Sequence, residues 1–322
     1  MTDIHLVTGA FGFSGSHIAR ELLSAGKPVR TLTSSAPRGP SAAGIEVFPL
    51  DPGRPERMGP AFEGVDTFFN TYWVRFQAAG FDQLRAVEHS AGLFRLAAEA
   101  GVRRIVHVSV SNPSQGSPYA YFRGKAAVEA ALVASGVPHS ILRPAVLFGR
   151  GDVLFNNIAW LLRHMPVFAI PGDGAYGVRP IHVRDLARLA LEEAACAGNR
   201  TLDAVGPESF TYRELVERIE RAVGVRRRIV CVSPSLVVAL SRALGLMLRD
   251  VLLTREEMGA LMDGLLDTPG PATAPGRLSD WLAEHGDTFG RRYASELRRR
   301  RPEIVSESPA RARSPAACGG QC

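Results

Sequence analysis

The sequence predicts an α/β fold: a doubly wound parallel sheet followed by a small, mostly helical C-terminal lobe. Three observations carry that expectation. Short apolar, β-rich runs alternate with longer stretches of helical periodicity through the first half of the chain. A glycine stands just past each of the first helices, where a left-handed cap is wanted. The first strand feeds directly into a glycine-rich turn that opens a helix.

Taken in order, strands are expected at Ile4–Thr8, Val29–Thr33, Ile45–Leu50, Thr67–Thr71, Arg104–Ser109 and His139–Leu142. Helices are expected between them at Ser14–Ala25, Phe81–Ala100 and Tyr119–Ala134, followed by Gly26, Gly101 and Gly136. After Pro144 the rhythm changes to longer helices with short strand candidates, Arg179–His182 and Thr201–Ala204. The expected organisation is a dinucleotide-binding core over 1–150, a substrate lobe over 151–301 interleaved with that core, and a disordered tail over 302–322. Asp267–Pro275 reads as a loop from its Pro and Gly content. Leu236–Leu248 is the most apolar window; it is too short to span a bilayer, so a packing helix is preferred over one lying on a membrane surface.

Composition narrows the class without naming the chemistry. Of 322 residues, 46% are hydrophobic and 22% charged, which is the balance of an ordinary globular protein. The net charge of +6 hints at nucleic acid until it is located: from Arg291 onward eight Arg face three Glu, so +5 of it belongs to the tail. With no reader motif, only weak salt-sensitive attraction to nucleic acid is expected. Cys196, Cys231, Cys318 and Cys322 lack zinc-site or disulfide spacing, and the N-terminus lacks the pattern of a signal peptide, so a reducing cytoplasm is expected. No His and carboxylate spacing argues for a metal. His107 and His182 read as hydrogen-bonded core histidines.

The strongest functional signal is Gly9-Ala-Phe11-Gly12-Phe13-Ser-Gly15. Glycines are needed there because the turn is tight, the backbone approaches a pyrophosphate closely and the helix packs on its strand. Amides at the helix start then face the phosphate charge. A nicotinamide dinucleotide follows from that pattern. The acidic residue about 20 positions on that ordinarily selects NAD by bonding the ribose is missing, since no Asp or Glu occurs between Glu21 and Glu46. Thr33 and Ser34 with Arg38 can instead accommodate a 2′-phosphate, so NADP(H) is preferred and NAD(H) remains the alternative; the same residues also suit a plain polar turn. Asn70 and Thr71 fall at the end of the fourth strand, where a parallel sheet presents ligands.

These features together resemble the short-chain dehydrogenase/reductase superfamily, with its Rossmann-type fold, in its extended and atypical members. Those are epimerase/dehydratase-like proteins, NmrA-like proteins and the nucleotide-binding accessory subunit of respiratory complex I. The resemblance rests on TGAFGFSG at 8–15, Asp51, Tyr121-Phe-Arg-Gly-Lys125, Leu142-Arg-Pro144 with Phe148-Gly149, and Pro180-Ile-His-Val-Arg-Asp185. It implies that Tyr121 exchanges a proton with substrate, that Lys125 also bonds the nicotinamide ribose, and that Asp51 and Pro144 lie beside the cofactor, although Asp51-Pro-Gly is also an ordinary turn. On a helix, Tyr121 and Lys125 leave the same face about 6 Å apart along the axis. The family's third member, a Ser or Thr after the fifth strand, aligns with Val110; Ser109 and Ser111 flank it, and Ser111 is the preferred substitute. Trp73, Phe76, Phe155 and Trp160 are candidates for a pocket wall or for core, and Arg179 and Asp185 for structural roles.

The expected function is an NADP(H)-dependent reductase or dehydrogenase acting on a carbonyl or activated alkene of a mostly apolar small molecule, as monomer or homodimer. A non-catalytic NADP(H)-binding sensor or scaffold is the alternative, and a sugar-nucleotide epimerase or dehydratase comes third.

Overall fold

The computed structural model describes residues 3–34, 44–73, 83–295 and 297. Seven parallel strands form its main sheet in the order β11-β6-β5-β4-β1-β2-β3. They are β1 (Ile4–Thr8), β2 (Val29–Thr33), β3 (Ile45–Pro49), β4 (Val65–Asn70), β5 (Arg104–Val108), β6 (His139–Pro144) and β11 (Arg200–Ala204). The order reverses at β1 and β4, and the carboxyl ends of those two strands open a crevice where such sheets bind ligands.

Burial on both faces explains why the inner strands β1, β4, β5 and β6 are largely buried along their length, while the edge strands β3 and β11 are mostly open. Leu6, Phe68, Ile105 and Ile141 point to one side, into a core closed by α2 (Gln83–Glu99) and α3 (Ala120–Ala134). Their neighbours Val7, Phe69, Val106 and Leu142 point to the other, beneath α1 (Phe13–Ser24) and α5 (Val183–Ala195). Gly26, Gly101 and Gly136 follow α1, α2 and the turn after α3 with φ of 70°, 69° and 72°, the left-handed conformation expected of them. The sequence-derived bounds differ by one or two residues at most described ends, as fraying termini do. Phe81, at the expected start of α2, lies outside the described residues, as does 302–322.

A second core gathers the rest of the chain. Helices α4 (Leu154–His164), α6 (Tyr212–Ala222) and α9 (Leu278–His285) surround Phe155, Ile158, Leu162, Leu215, Ile219 and Leu282. Three short pairings lie outside the main sheet: β7 (Val146–Phe148) with β10 (Pro180–His182), β9 (Gly177–Val178) with β12 (Phe210–Thr211), and β8 (Val167–Pro171) with β13 (Arg228–Val232). Because β11 rejoins the main sheet beside β6, chain from beyond residue 150 contributes to both cores. Helix α7 (Pro234–Leu248) corrects one expectation: the apolar window is helical, but only Val237, Val238 and Gly245 are buried, because it packs on the small lobe along one edge alone. Helix α8 (Arg255–Met262) and the segment after it lie over the carboxyl end of β5.

Candidate functional site

The glycine loop is built by three different constraints. Gly9 has φ of 66°, which disfavours any residue with a side chain. Its carbonyl accepts from the Gly12 amide at 2.7 Å, closing the turn. A Cβ at Gly15 would stand 2.3 Å from that same carbonyl oxygen, so only glycine lets the first turn of α1 press on the loop. Gly12 caps α1 without a side-chain hydrogen bond and no acidic residue occupies the first turn, which leaves the positive end of the helix facing the crevice. Such a cradle, in which added carbons would fill the space of approach, fits a dinucleotide diphosphate. Phe11 and Phe13 are half-buried beside it, and the Phe13 ring meets His17 edge-on at 6.0 Å.

The strand ends hold that loop in place. The Gly9 amide donates to the Leu32 carbonyl at 3.0 Å and the Ala10 amide to the Thr31 hydroxyl at 3.2 Å. Across the switch point, the Thr71 hydroxyl donates to the Thr8 carbonyl at 2.6 Å, and the Thr8 hydroxyl accepts from the Thr71 amide at 2.8 Å. The Thr8 hydroxyl donates in turn to Asn70 Oδ1 at 3.0 Å. The Asn70 amide nitrogen is thereby the donor to His107 Nδ1 at 3.2 Å. His107 is fully buried, and burial with the nearby Lys125 charge pushes its pKa well down, so it is a neutral core histidine as expected. Asn70 and Thr71 thus set the shape of the switch point.

Tyr121 and Lys125 meet at one indole. Trp73, just past β4, packs edge-on to the Tyr121 ring at 5.7 Å, while Lys125 Nζ sits 4.7 Å over its ring centre. Gly124 makes this possible, since a Cβ there would come within 2.7 Å of the indole. Lys125 is buried and donates to the Val108 carbonyl at 2.9 Å. Burial lowers its pKa to about 7, with Glu129 one turn along pulling the other way.

The two candidate serines, expected to replace the missing hydroxyl, each donate to a protein acceptor. Ser109 donates to Glu129 Oε1 at 2.5 Å, and Arg143 closes on the same carboxylate at 3.0 and 2.5 Å. Ser111 donates to the Leu265 carbonyl at 2.6 Å, 154 residues away in sequence. Val110, past the end of β5, is buried in an apolar cluster with Phe122 and Ala260, against which Tyr119, Tyr121, Leu265 and Leu266 pack.

The other candidates separate. Thr33 is half-buried and Ser34 exposed at the end of β2, while Arg38 and Phe76 lie outside the described residues. Asp51 is ion-paired with Arg54 at 3.2 Å and Arg57 at 3.3 Å. Pro144 ends β6 and its carbonyl accepts from the Ser111 amide at 2.9 Å. Phe155 is core, and Trp160 stacks on His164 at 4.5 Å on the far lobe. Arg179 donates to the carbonyls of Gly206, Thr268 and Gly270, and Asp185 accepts from the Gly276 amide, so both are structural. His182 is corrected from core to cap: half-buried, it accepts from the Arg184 amide at the start of α5. Among the described residues no group of three His, Cys, Asp or Glu is placed to hold a metal.

Sequence reasoning passed over Glu129, although its i, i+4 spacing from Lys125 was a usable signal. It had no means of finding Leu265 and Ala260, which arrive from the distant lobe.

Comparison with known proteins places these features. A family described as NAD(P)H-binding matches residues 9–152. The chain is 26% identical over 223 residues to the Arabidopsis thaliana mitochondrial NADH dehydrogenase [ubiquinone] 1 alpha subcomplex subunit 9, an alignment spanning 66% of this chain and 56% of that protein's length. It is 26% identical to the ceramide reductase of Caulobacter vibrioides over 70% of this chain and 72% of that one. It is 31% identical to the mitochondrial protein fmp52 of Aspergillus clavatus over 47% of this chain and 69% of the relative. The Citrobacter sp. triphenylmethane reductase complexed with NADP(H) superimposes with a TM-score of 0.69 at 18% identity, covering 88% of this chain and 99% of that one. MoeE5 in complex with UDP-glucuronic acid and NAD gives a TM-score of 0.61 at 22% identity, covering 72% and 85%.

Proposed function

The chain belongs to the NAD(P)H-binding family matched over residues 9–152, and from that premise we propose that it is an NADP(H)-dependent reductase of a mostly apolar, already electrophilic small molecule. The observation that carries this reading is the apolar packing around Tyr121, which lies against a cluster of Val110, Phe122, Ala260, Leu265 and Leu266. When bound, the dinucleotide supplies the hydride. The chain's own residues do the rest. The amides opening α1 and the bare Gly12 and Gly15 backbone hold the diphosphate. Lys125 holds the ribose hydroxyls, and its ammonium favours the ionised form of the Tyr121 phenol, which brings the phenol toward the range for proton transfer at neutral pH.

Val110 has a definite consequence. With valine at the position where a polarising hydroxyl is expected, the favoured substrate is one that brings its own polarisation, as a quinone or a conjugated alkene does. The same residue favours one alternative: an NADP(H)-binding sensor or scaffold, which needs the glycine loop but no working Tyr121. A sugar-nucleotide epimerase would need both the hydroxyl and a polar pocket. The preference for NADP(H) rests on Thr33 and Ser34 and on the lack of an acid between Glu21 and Glu46. The partner is a small molecule rather than nucleic acid, and the compartment is a reducing one such as the cytoplasm, given free thiols at Cys196 and Cys231.

The test is turnover. Full-length protein with NADPH should reduce members of a panel of quinones, enones and ketones, with quinones and enones the faster, and Tyr121→Phe should lower kcat by about 10²–10⁴-fold. Tight NADPH binding with no turnover across the panel replaces the enzyme with the sensor. Thr33→Asp should shift the preference toward NADH, and an NADH preference in the native protein overturns the cofactor assignment.

A further inference from the structure

Helix α7 is docked by one edge and open along the other. Val237 and Val238 pack with Met258, Ala169, Val232, Leu253 and Met262, which fixes the helix rigidly on the small lobe. The opposite arc carries Leu236, Ala239, Leu240, Ala243, Leu246 and Met247, all exposed. At 100° per residue these positions fall in one continuous sector, with Arg242 along its margin. The exposure is large for apolar side chains: 46% at Leu236, 50% at Leu240, 83% at Leu246 and 70% at Met247.

The sequence around this helix is basic, with Arg242 at the margin of the apolar arc and Arg249 at the C-cap of α7. From Arg221 to Arg249 the chain carries six arginines and no Asp or Glu. Five of them, Arg221, Arg226, Arg228, Arg242 and Arg249, are exposed. Arg227 alone turns inward, to the carbonyls of Leu162 and Arg163. At 15 residues α7 is about 22 Å long, shorter than the span of a bilayer, and among the described residues no helix is long and apolar enough to cross one.

We propose that this face of α7 docks the protein on the surface of an anionic lipid bilayer, with the leucines and Met247 among the acyl chains and the arginines at the headgroups. Apolar residues on one arc, cations at its border and no acid in the segment are the chemistry that such a surface selects. A second copy of the chain fits less well, because an antiparallel two-fold pairing about the middle of α7 would bring Arg242 close to its own copy with no acid in the helix to offset it. This inference is independent of the reductase reading.

Co-sedimentation of the full chain with phosphatidylcholine vesicles, with and without phosphatidylglycerol, tests it. The protein is expected to partition onto the phosphatidylglycerol vesicles only, less so as salt rises. The triple variant Leu236→Glu/Leu240→Glu/Met247→Glu is expected to lower that partitioning at least about tenfold while keeping the native circular dichroism and NADPH affinity. Should the triple variant fail to fold, Leu246→Glu at the most exposed of these positions gives the same direction of change. Three results overturn the proposal: no partitioning of the native chain, equal partitioning of the variants, which assigns the attraction to the arginines beyond Arg291, or a native dimer that the variants convert to monomer.

Discussion

Gly15 concentrates the account into one atom. The added methyl of Gly15→Ala meets the Gly9 carbonyl at 2.3 Å, so loop or helix must move, at a cost of about 1–3 kcal/mol in folding stability. NADPH affinity is expected to fall at least about tenfold more than stability explains, because the displaced amides are the diphosphate ligands proposed above; calorimetric titration alongside thermal unfolding separates the two. Val110→Thr is the opposite kind of change, nearly isosteric but polar. It should cost about 1–3 kcal/mol, since a hydroxyl enters an apolar wall, and raise turnover of unactivated ketones at least about tenfold. Unchanged ketone rates would remove Val110 as the selector. Lys125 yields a pH prediction. Held at about 7 by burial, it is mostly neutral at pH 8, and a dinucleotide's negative charge and ribose oxygens raise its pKa. Binding at pH 8 should therefore take up a proton and weaken as pH rises above about 7. Binding enthalpies in two buffers of different ionisation heat read the uptake, and Lys125→Met should abolish it. At this scale the sequence was legible where a motif dictates backbone, at Gly9, Gly12 and Gly15, and where helical spacing pairs Tyr121 with Lys125. It did not foresee the partners of Ser109 and Ser111, because Glu129 and Leu265 are set by packing between elements that no local pattern announces.

Between elements, the heaviest buried cation is Arg104, 1% exposed at the start of β5. It donates to the carbonyls of Glu193 and Gly198 and to the Ser140 hydroxyl, tying β5 to β6 and to the end of α5. Arg104→Met is expected to cost about 3 kcal/mol or more by stranding those acceptors, measured by urea unfolding. The adjacent pair of Arg103 and Asp66, joined through two bonds of 2.7 Å, joins β5 to β4. The Arg103 guanidinium holds the Asp66 carboxyl down at about 2 from the ordinary 3.8. A carboxyl depressed in the folded state stabilises it above the unfolded value, so this contribution is intact above about pH 4 and is lost as pH falls toward about 2. Asp66→Asn should flatten that part of the acid unfolding curve. Elements were the most legible level of all: short β-rich runs such as Ile4–Thr8 and Arg104–Val108 mark the inner strands, and capping glycines mark where helices stop. Helix α7 shows the limit. Its periodicity identifies a helix over Pro234–Leu248, while which faces are covered depends on the lobe it lands on.

At the scale of the molecule, seven parallel strands bring the glycine loop, the Asn70–Thr71 strand end and the Tyr121–Lys125 helix to one rim, and the small lobe adds Ala260 and Leu265 beside it. The parallel core was readable because each βαβ unit is local. The return of β11 to the sheet edge and the arrival of Leu265 over Ser111 were not, since both close loops of tens of residues or more. The proposed chemistry depends on that rim gripping a pyridine dinucleotide. Isothermal calorimetry on the full-length protein is the direct measurement: saturable heat with NADPH, weaker heat with NADH and little with Gly15→Ala are predicted. An absence of heat with either nucleotide in the folded native protein would contradict the account at its foundation.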